Sequence, residues 1–136
     1  MSDFETVHTM TDYYDGPRGG VANFRGVPHV YESQFSDSLG NYTDSFHLSP
    51  ICREVFQLAL EDWAIWLRWG GAFKCGDTTH DTHPVLPADR ARHDDLDRFL
   101  NGKLTIDPNN FVVATAEFRN TNSILEVRWS VVLPVA

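Results

Sequence analysis

The chain has 136 residues, 42% of them hydrophobic, and a formal net charge of −8. That length suits one domain, residues 1–136, with an apolar core that needs no metal or disulfide staple. The acidic balance excludes a general nucleic-acid binder, which needs a basic face against phosphate.

No apolar run follows Met1, so no secretory leader is read and a cytoplasmic protein is expected. Residues 4–14 alternate weakly and predict a strand that ends near Tyr13 and Tyr14. Asp15-Gly16-Pro17-Arg18-Gly19-Gly20 is a dense turn signal, with Pro17 setting φ and the glycines free to take positive φ. It lacks the Gly-x-x-x-x-Gly-Lys-Ser/Thr pattern of a phosphate loop. Arg18 stands at the tip of this turn as a contact residue. Residues 21–25 and 28–35 read as two strands around Gly26-Val27. His29 shares a strand face with Tyr31 and Phe35, a setting that suits a packed histidine better than a catalyst. Residues 37–41 form a loop, and 42–48 a further short strand.

Residues 51–73 read as one long helix, apolar almost all the way round. Ser49 suits the N-cap and Pro50 the first helical position. One stripe carries Ile51, Val55, Leu58, Ala59, Trp66, Trp69 and Phe73. A second carries Phe56, Leu60, Trp63 and Leu67. The spacing predicts Leu58 and Trp66 in the core. The charges Arg53, Glu54, Glu61, Asp62 and Arg68 exclude a membrane span. Asp62 falls on the first stripe between Leu58 and Trp66. A carboxylate there needs a partner, because burying an unpaired charge is costly; Arg18 is the first choice. Cys52 and Cys75 lie 23 residues apart along this helix, roughly 35 Å if it is continuous. An internal disulfide is thereby excluded.

Beyond the helix, residues 75–87 are polar and irregular. Cys75, His80 and His83 have side chains that suit zinc, with His93 or His29 as a distant fourth ligand. Their Cys-x4-His-x2-His spacing matches no strong metal signature, so no metal and no cofactor is expected. Pro87 opens a second helix with Leu96, Phe99 and Leu100 on its apolar face, stopped at Asn101-Gly102. Leu104–Ile106 suggests a short strand. Val112, Ala114, Ala116 and Phe118 then share one strand face, and Leu125, Val127, Trp129, Val131 and Leu133 the next. Asn120–Ser123 is the turn between them.

The order β-β-β-(β)-α-α-β-β-β has no strand–helix alternation, so the predicted class is α+β. The expected architecture is a curved antiparallel sheet of five to seven strands packed on one long central helix. A partly closed β-barrel around that helix is the alternative. Three of four tryptophans fall on the helix, and tryptophan is enriched at interface hot spots. The expected function is therefore a protein-interaction module, an adaptor, inhibitor or immunity-like partner. It would bind a protein or its own copy as a homodimer, through Trp63, Leu67 and Arg18, with no nucleic acid and no membrane as partner. The alternative is a small enzyme or ligand-binding domain with a pocket between helix and sheet, served by Asp62, His29 and Arg18.

Overall fold

A computed structural model describes residues 3–132. They form two compact units: a sheet unit of residues 3–52 and 104–132, and a helical unit, Arg53–Lys103. The class is α+β, as the sequence predicts.

The sheet has seven antiparallel strands: β1 (Glu5–Thr6), β2 (Asp12–Tyr13), β3 (Pro17–Phe24), β4 (Val27–Ser36), β5 (Asn41–Pro50), β6 (Val112–Thr121) and β7 (Ile124–Val131). Their spatial order is β1-β7-β6-β5-β4-β3-β2. Two tight hairpins fix the register. Arg25 and Gly26 both have positive φ, as do Asn122 and Ser123. Two successive residues of that kind match the right-handed twist of the strands they join. The Glu5 carboxylate accepts from the Arg25 and Gly26 amides at 3.0 and 2.7 Å and holds the first turn against β1.

The N-terminal segment curls this sheet into a half-barrel. The Val7 amide donates to Leu125 O on β7, and Val7 also pairs with Ala22 on β3. The His8 and Thr9 amides donate to Val21 O, and the Val21 amide donates back to Thr9 Oγ1 at 2.9 Å. One segment thus touches both flanks of the curl.

Alternation directs Ala22, Tyr31, Phe46, Leu48, Ala114 and Val127 into a single core cluster, with Phe118 and Trp129 packed on it. The rings of Tyr31, Phe46, Phe118 and Trp129 lie 5.6–6.3 Å apart, mostly tilted or edge-on. Both polar tips are satisfied. Tyr31 Oη donates to Thr9 O at 3.0 Å, and Trp129 Nε1 donates to Asn23 O at 2.9 Å. On the wet face of β6 and β7, Arg119 pairs with Glu126 and Arg128 with Glu117, each at 3.0 Å. The predicted inward positions of both strands hold; Leu133 lies outside the described residues.

Several expectations are corrected. The sheet is not built on one long central helix, because its own aromatic side chains fill the inside of the curl. The predicted helix α1 spans Arg53–Lys74 and is one of two helices, α2 being Arg90–Leu100. Ser49 and Pro50 do not start α1; they end β5. Ser49 is buried there, donates from Oγ to Asn110 O and accepts from the Asp107 amide, both at 2.9 Å. Residues 104–106 form no strand, since that stretch belongs to the loop Ser49 holds. Five strands therefore precede the helices and two follow.

Within the helical unit, Ala59, Ile65 and Trp69 of α1, Val85, and Leu96 and Leu100 of α2 are buried. Pro87 opens a 3-10 turn, Pro87–Asp89, that leads into α2. Gly102 stops it with φ of 75°. Trp66 is not core: it is 38% exposed, and Phe99 is exposed on α2. Both cysteines are free and exposed, and no helix among the described residues is long and apolar enough to cross a membrane.

Candidate functional site

Two regions gather the residues that the sequence marks. The first is on α1. Trp66, Trp69 and Phe73 recur at spacings of three and four, which place them along one helix face. Their rings stack, with centroids 5.5 and 5.1 Å apart and planes within 16°. His83 meets Trp69 edge-on at 4.7 Å, and also touches Trp66. His80 covers Phe73 at 4.6 Å. Both histidines of the suggested zinc set therefore face rings. Among the described residues, no three His, Cys, Asp or Glu side chains converge as a metal would require.

Three side-chain pairs tie α1 to α2 and its lead-in. Arg92 grips Glu61 through two bonds of 2.5 and 2.8 Å. Arg68 grips Asp89 through two of 3.0 Å. Asp62 accepts from His93 Nδ1 at 2.8 Å. Asp62 does have a partner from outside its own helix, but that partner is His93, not Arg18. The hydrogen bond from Arg92 holds the Glu61 carboxyl below its ordinary range, and Arg68 does the same to Asp89. A depressed carboxylate contributes stability above its unfolded value and loses it as pH falls through the folded one. The helical unit is therefore expected to weaken as pH drops below the ordinary values of 4.5 and 3.8. Thermal melts of wild type and of a Glu61→Gln, Asp89→Asn double variant test this. The difference between them should shrink across that range, and a constant difference would refute it.

Beside these pairs, Leu67 is 54% exposed and Trp63 half-buried. This part of α1 presents apolar surface.

The second region is in the sheet unit, where β3 leaves the turn at Asp15-Gly16. Arg18 does not project freely from the tip. Its Nε donates to Tyr14 O at 2.7 Å, its Nη1 to Ser33 Oγ at 3.4 Å and its Nη2 to Asp15 O at 3.5 Å. Its guanidinium lies 4.7 Å from the centre of the Tyr42 ring, which in turn meets Phe35 edge-on at 5.3 Å. A cavity of about 420 Å³ opens here; its walls include Arg18, Asp12, Glu32, Phe35 and Tyr42. Tyr31 also borders it, and burial, then the nearby Asp12 charge, push its phenol well above the usual range.

His29 is not at this cavity. It pairs with Ala22, several rungs along β3 from Arg18. There it is buried, bonded through Nδ1 to Val27 O at 2.7 Å and packed edge-on to Phe24. The three residues suggested for catalysis thus have separate surroundings: Asp62 with His93, His29 with Phe24, Arg18 with Tyr42.

Sequence reasoning missed His93 as the Asp62 partner, and Ser33 and Tyr42 as the side chains that Arg18 meets. A four-residue ladder of charge on α2 hints at exposed pairing, but no local signal marks a β4 serine as neighbour of a β3 arginine. Comparison with family models, with curated proteins and with solved structures gave no match.

Proposed function

We propose that this chain is a protein-interaction module and that α1 carries its binding face. The observation behind this reading is the exposed apolar surface at Leu67 and Trp66, with Trp63 half-buried beside them. Tryptophan and leucine held on a rigid helix offer contact area at little cost in side-chain freedom, and tryptophan anchors are common at interface centres. The net charge of −8 disfavours a nucleic-acid partner for that surface. A second copy is the simplest occupant, because closed two-fold dimers are the commonest assemblies.

Leu67→Asp tests it. Wild type is expected to show twice the chain mass by light scattering at about 100 µM, and the variant the mass of one chain. Circular dichroism should be the same for both, since Leu67 is exposed. A single-chain mass for wild type at that concentration would overturn the homodimer. The second reading, a ligand-binding domain, is favoured by one specific observation: the cavity beside Arg18.

A further inference from the structure

We infer that the sheet unit carries an interface of its own: the exposed rings around Tyr42 dock a basic segment of another protein, one that brings arginine or lysine among apolar residues. This surface lies wholly in the sheet unit and does not rest on α1, so its variants leave the α1 face intact.

Tyr42 on β5 is the hub of this surface. The Tyr14 ring lies 5.9 Å from it and the Phe35 ring 5.3 Å, centre to centre. The Arg18 guanidinium covers the same ring at 4.7 Å. Strand pairing explains the gathering. Phe35 stands opposite Tyr42 across β4 and β5, and the bonds from Arg18 to the Tyr14 and Asp15 carbonyls draw the β2–β3 turn to them. Tyr14 and Phe35 are exposed, and so is Leu39 in the turn between β4 and β5. Tyrosine, phenylalanine and arginine are residue types that interface centres favour.

Charge selects the partner. Asp15 follows Tyr14 directly, and Asp44 lies two residues beyond Tyr42. Both line one cleft of about 170 Å³ with Arg18. Asp37 lies in the same turn as Leu39. Among the described residues none of these three aspartates forms an ion pair, whereas Glu61, Asp89, Asp94, Asp95, Glu117 and Glu126 each hold an arginine. Arg18 serves as a brace for the rings: it donates to the Tyr14 and Asp15 carbonyls and to the Ser33 hydroxyl, and its plane lies on Tyr42. One positive charge thus stands against three negative ones at this end of the sheet. A partner's cation finds free carboxylates to pair with and ring faces to lie on, and aromatic faces attract cations. An acidic segment would meet three charges of its own sign, which costs binding.

The experiment selects random short peptides displayed on phage against the whole wild-type chain, then titrates the strongest one, made synthetically, by calorimetry. Selected sequences are expected to be enriched in arginine or lysine. Phe35→Ala should weaken binding at least about tenfold. The Asp15→Asn, Asp44→Asn pair should weaken it about fivefold and flatten its dependence on salt. Leu67→Asp should bind as wild type does. Two readings use wild type alone and do not depend on a variant's folding: norleucine in place of the peptide's basic residues, and a scrambled peptide of the same composition. Each should bind at least about tenfold more weakly. Equal binding of the norleucine peptide would overturn the charge assignment, and equal binding of the scrambled one would mean attraction by net charge alone; either sinks the proposal. So would a selection that yields no peptide, or unchanged binding by folded Phe35→Ala. Binding lost in Leu67→Asp would move the peptide to α1 and overturn the sheet surface. A wild-type dimer that Phe35→Ala converts to single chains by light scattering would make the occupant a second copy, and the proposal would fall.

Discussion

Gly20→Ala is expected to destabilise the sheet unit by about 3 kcal/mol or more. Gly20 has φ of 153°, a conformation that side chains rarely adopt. A Cβ there would stand 2.3 Å from Thr9 O, 2.8 Å from Thr9 C and 3.0 Å from Tyr31 Oη. Thr9 O is backbone held by its own hydrogen bonds, so it cannot swing aside as a flexible side chain would. Relief requires the N-terminal segment to lift from β3. That would break the bonds from His8 and Thr9 to Val21 O and strand the buried Tyr31 hydroxyl without its acceptor. A buried donor left unmade costs about 1–3 kcal/mol by itself. Urea unfolding should show a lower midpoint, and protease should cut residues 5–13 faster than in wild type. Gly19→Ala is the control, since its φ lies outside the left-handed region and a Cβ there makes only van der Waals contact, 3.4 Å from Asp12 Cβ. An unchanged midpoint for Gly20→Ala would mean that the segment does not lie against Gly20.

Trp69→Ala is expected to cost the helical unit about 3–5 kcal/mol. Trp69 is only 5% exposed. It stacks between Trp66 and Phe73, meets His83 edge-on, and donates from Nε1 to Thr82 Oγ1 at 3.0 Å. Truncation removes the middle of the stack and a bond to the loop after α1. Trp66→Ala should cost clearly less, because Trp66 is 38% exposed and lies at the edge of the stack. Denaturation followed by far-ultraviolet circular dichroism compares them. Equal costs for the two variants would refute the ranking.

The inversion of Trp66 and Trp69 shows where sequence reading stops. Helical period puts both on one stripe, but not which of them meets the neighbouring loop. That is decided by His83 and Thr82, more than ten residues on, in a stretch with no period. Strand alternation in β6 and β7 is legible to the residue, because each has one wet face with paired charges and one dry face. Ser49-Pro50 misleads for a physical reason: a serine followed by proline satisfies a helix start, yet a buried serine can equally pin a distant loop through its hydroxyl. The central helix was inferred from too much apolar circumference on α1. The sheet did not need it, because Tyr31, Phe46, Phe118 and Trp129 are large enough to fill the curl themselves. The site was hardly legible. Arg18 stands out as the tip of a turn, but Ser33 and Tyr42 come to it through strand register, and register is invisible until the strands are paired.

The insertion of Arg53–Lys103 between β5 and β6 also sets an order of events in time. Trp129 and Asn23 share a hydrogen bond across 106 residues of chain, and β5 must wait for β6 until all of Arg53–Lys103 has been made. Contacts near in sequence form fast and distant ones slowly. A chain halted on the ribosome after residue 103 would display β3, β4 and β5 as an open meander with one unpaired border on β5. Such a border is an invitation to foreign strands. The vulnerable moment of this protein is thus its birth: a chaperone acting on it should engage the nascent β5, and the need for that help should end once β6 and β7 arrive.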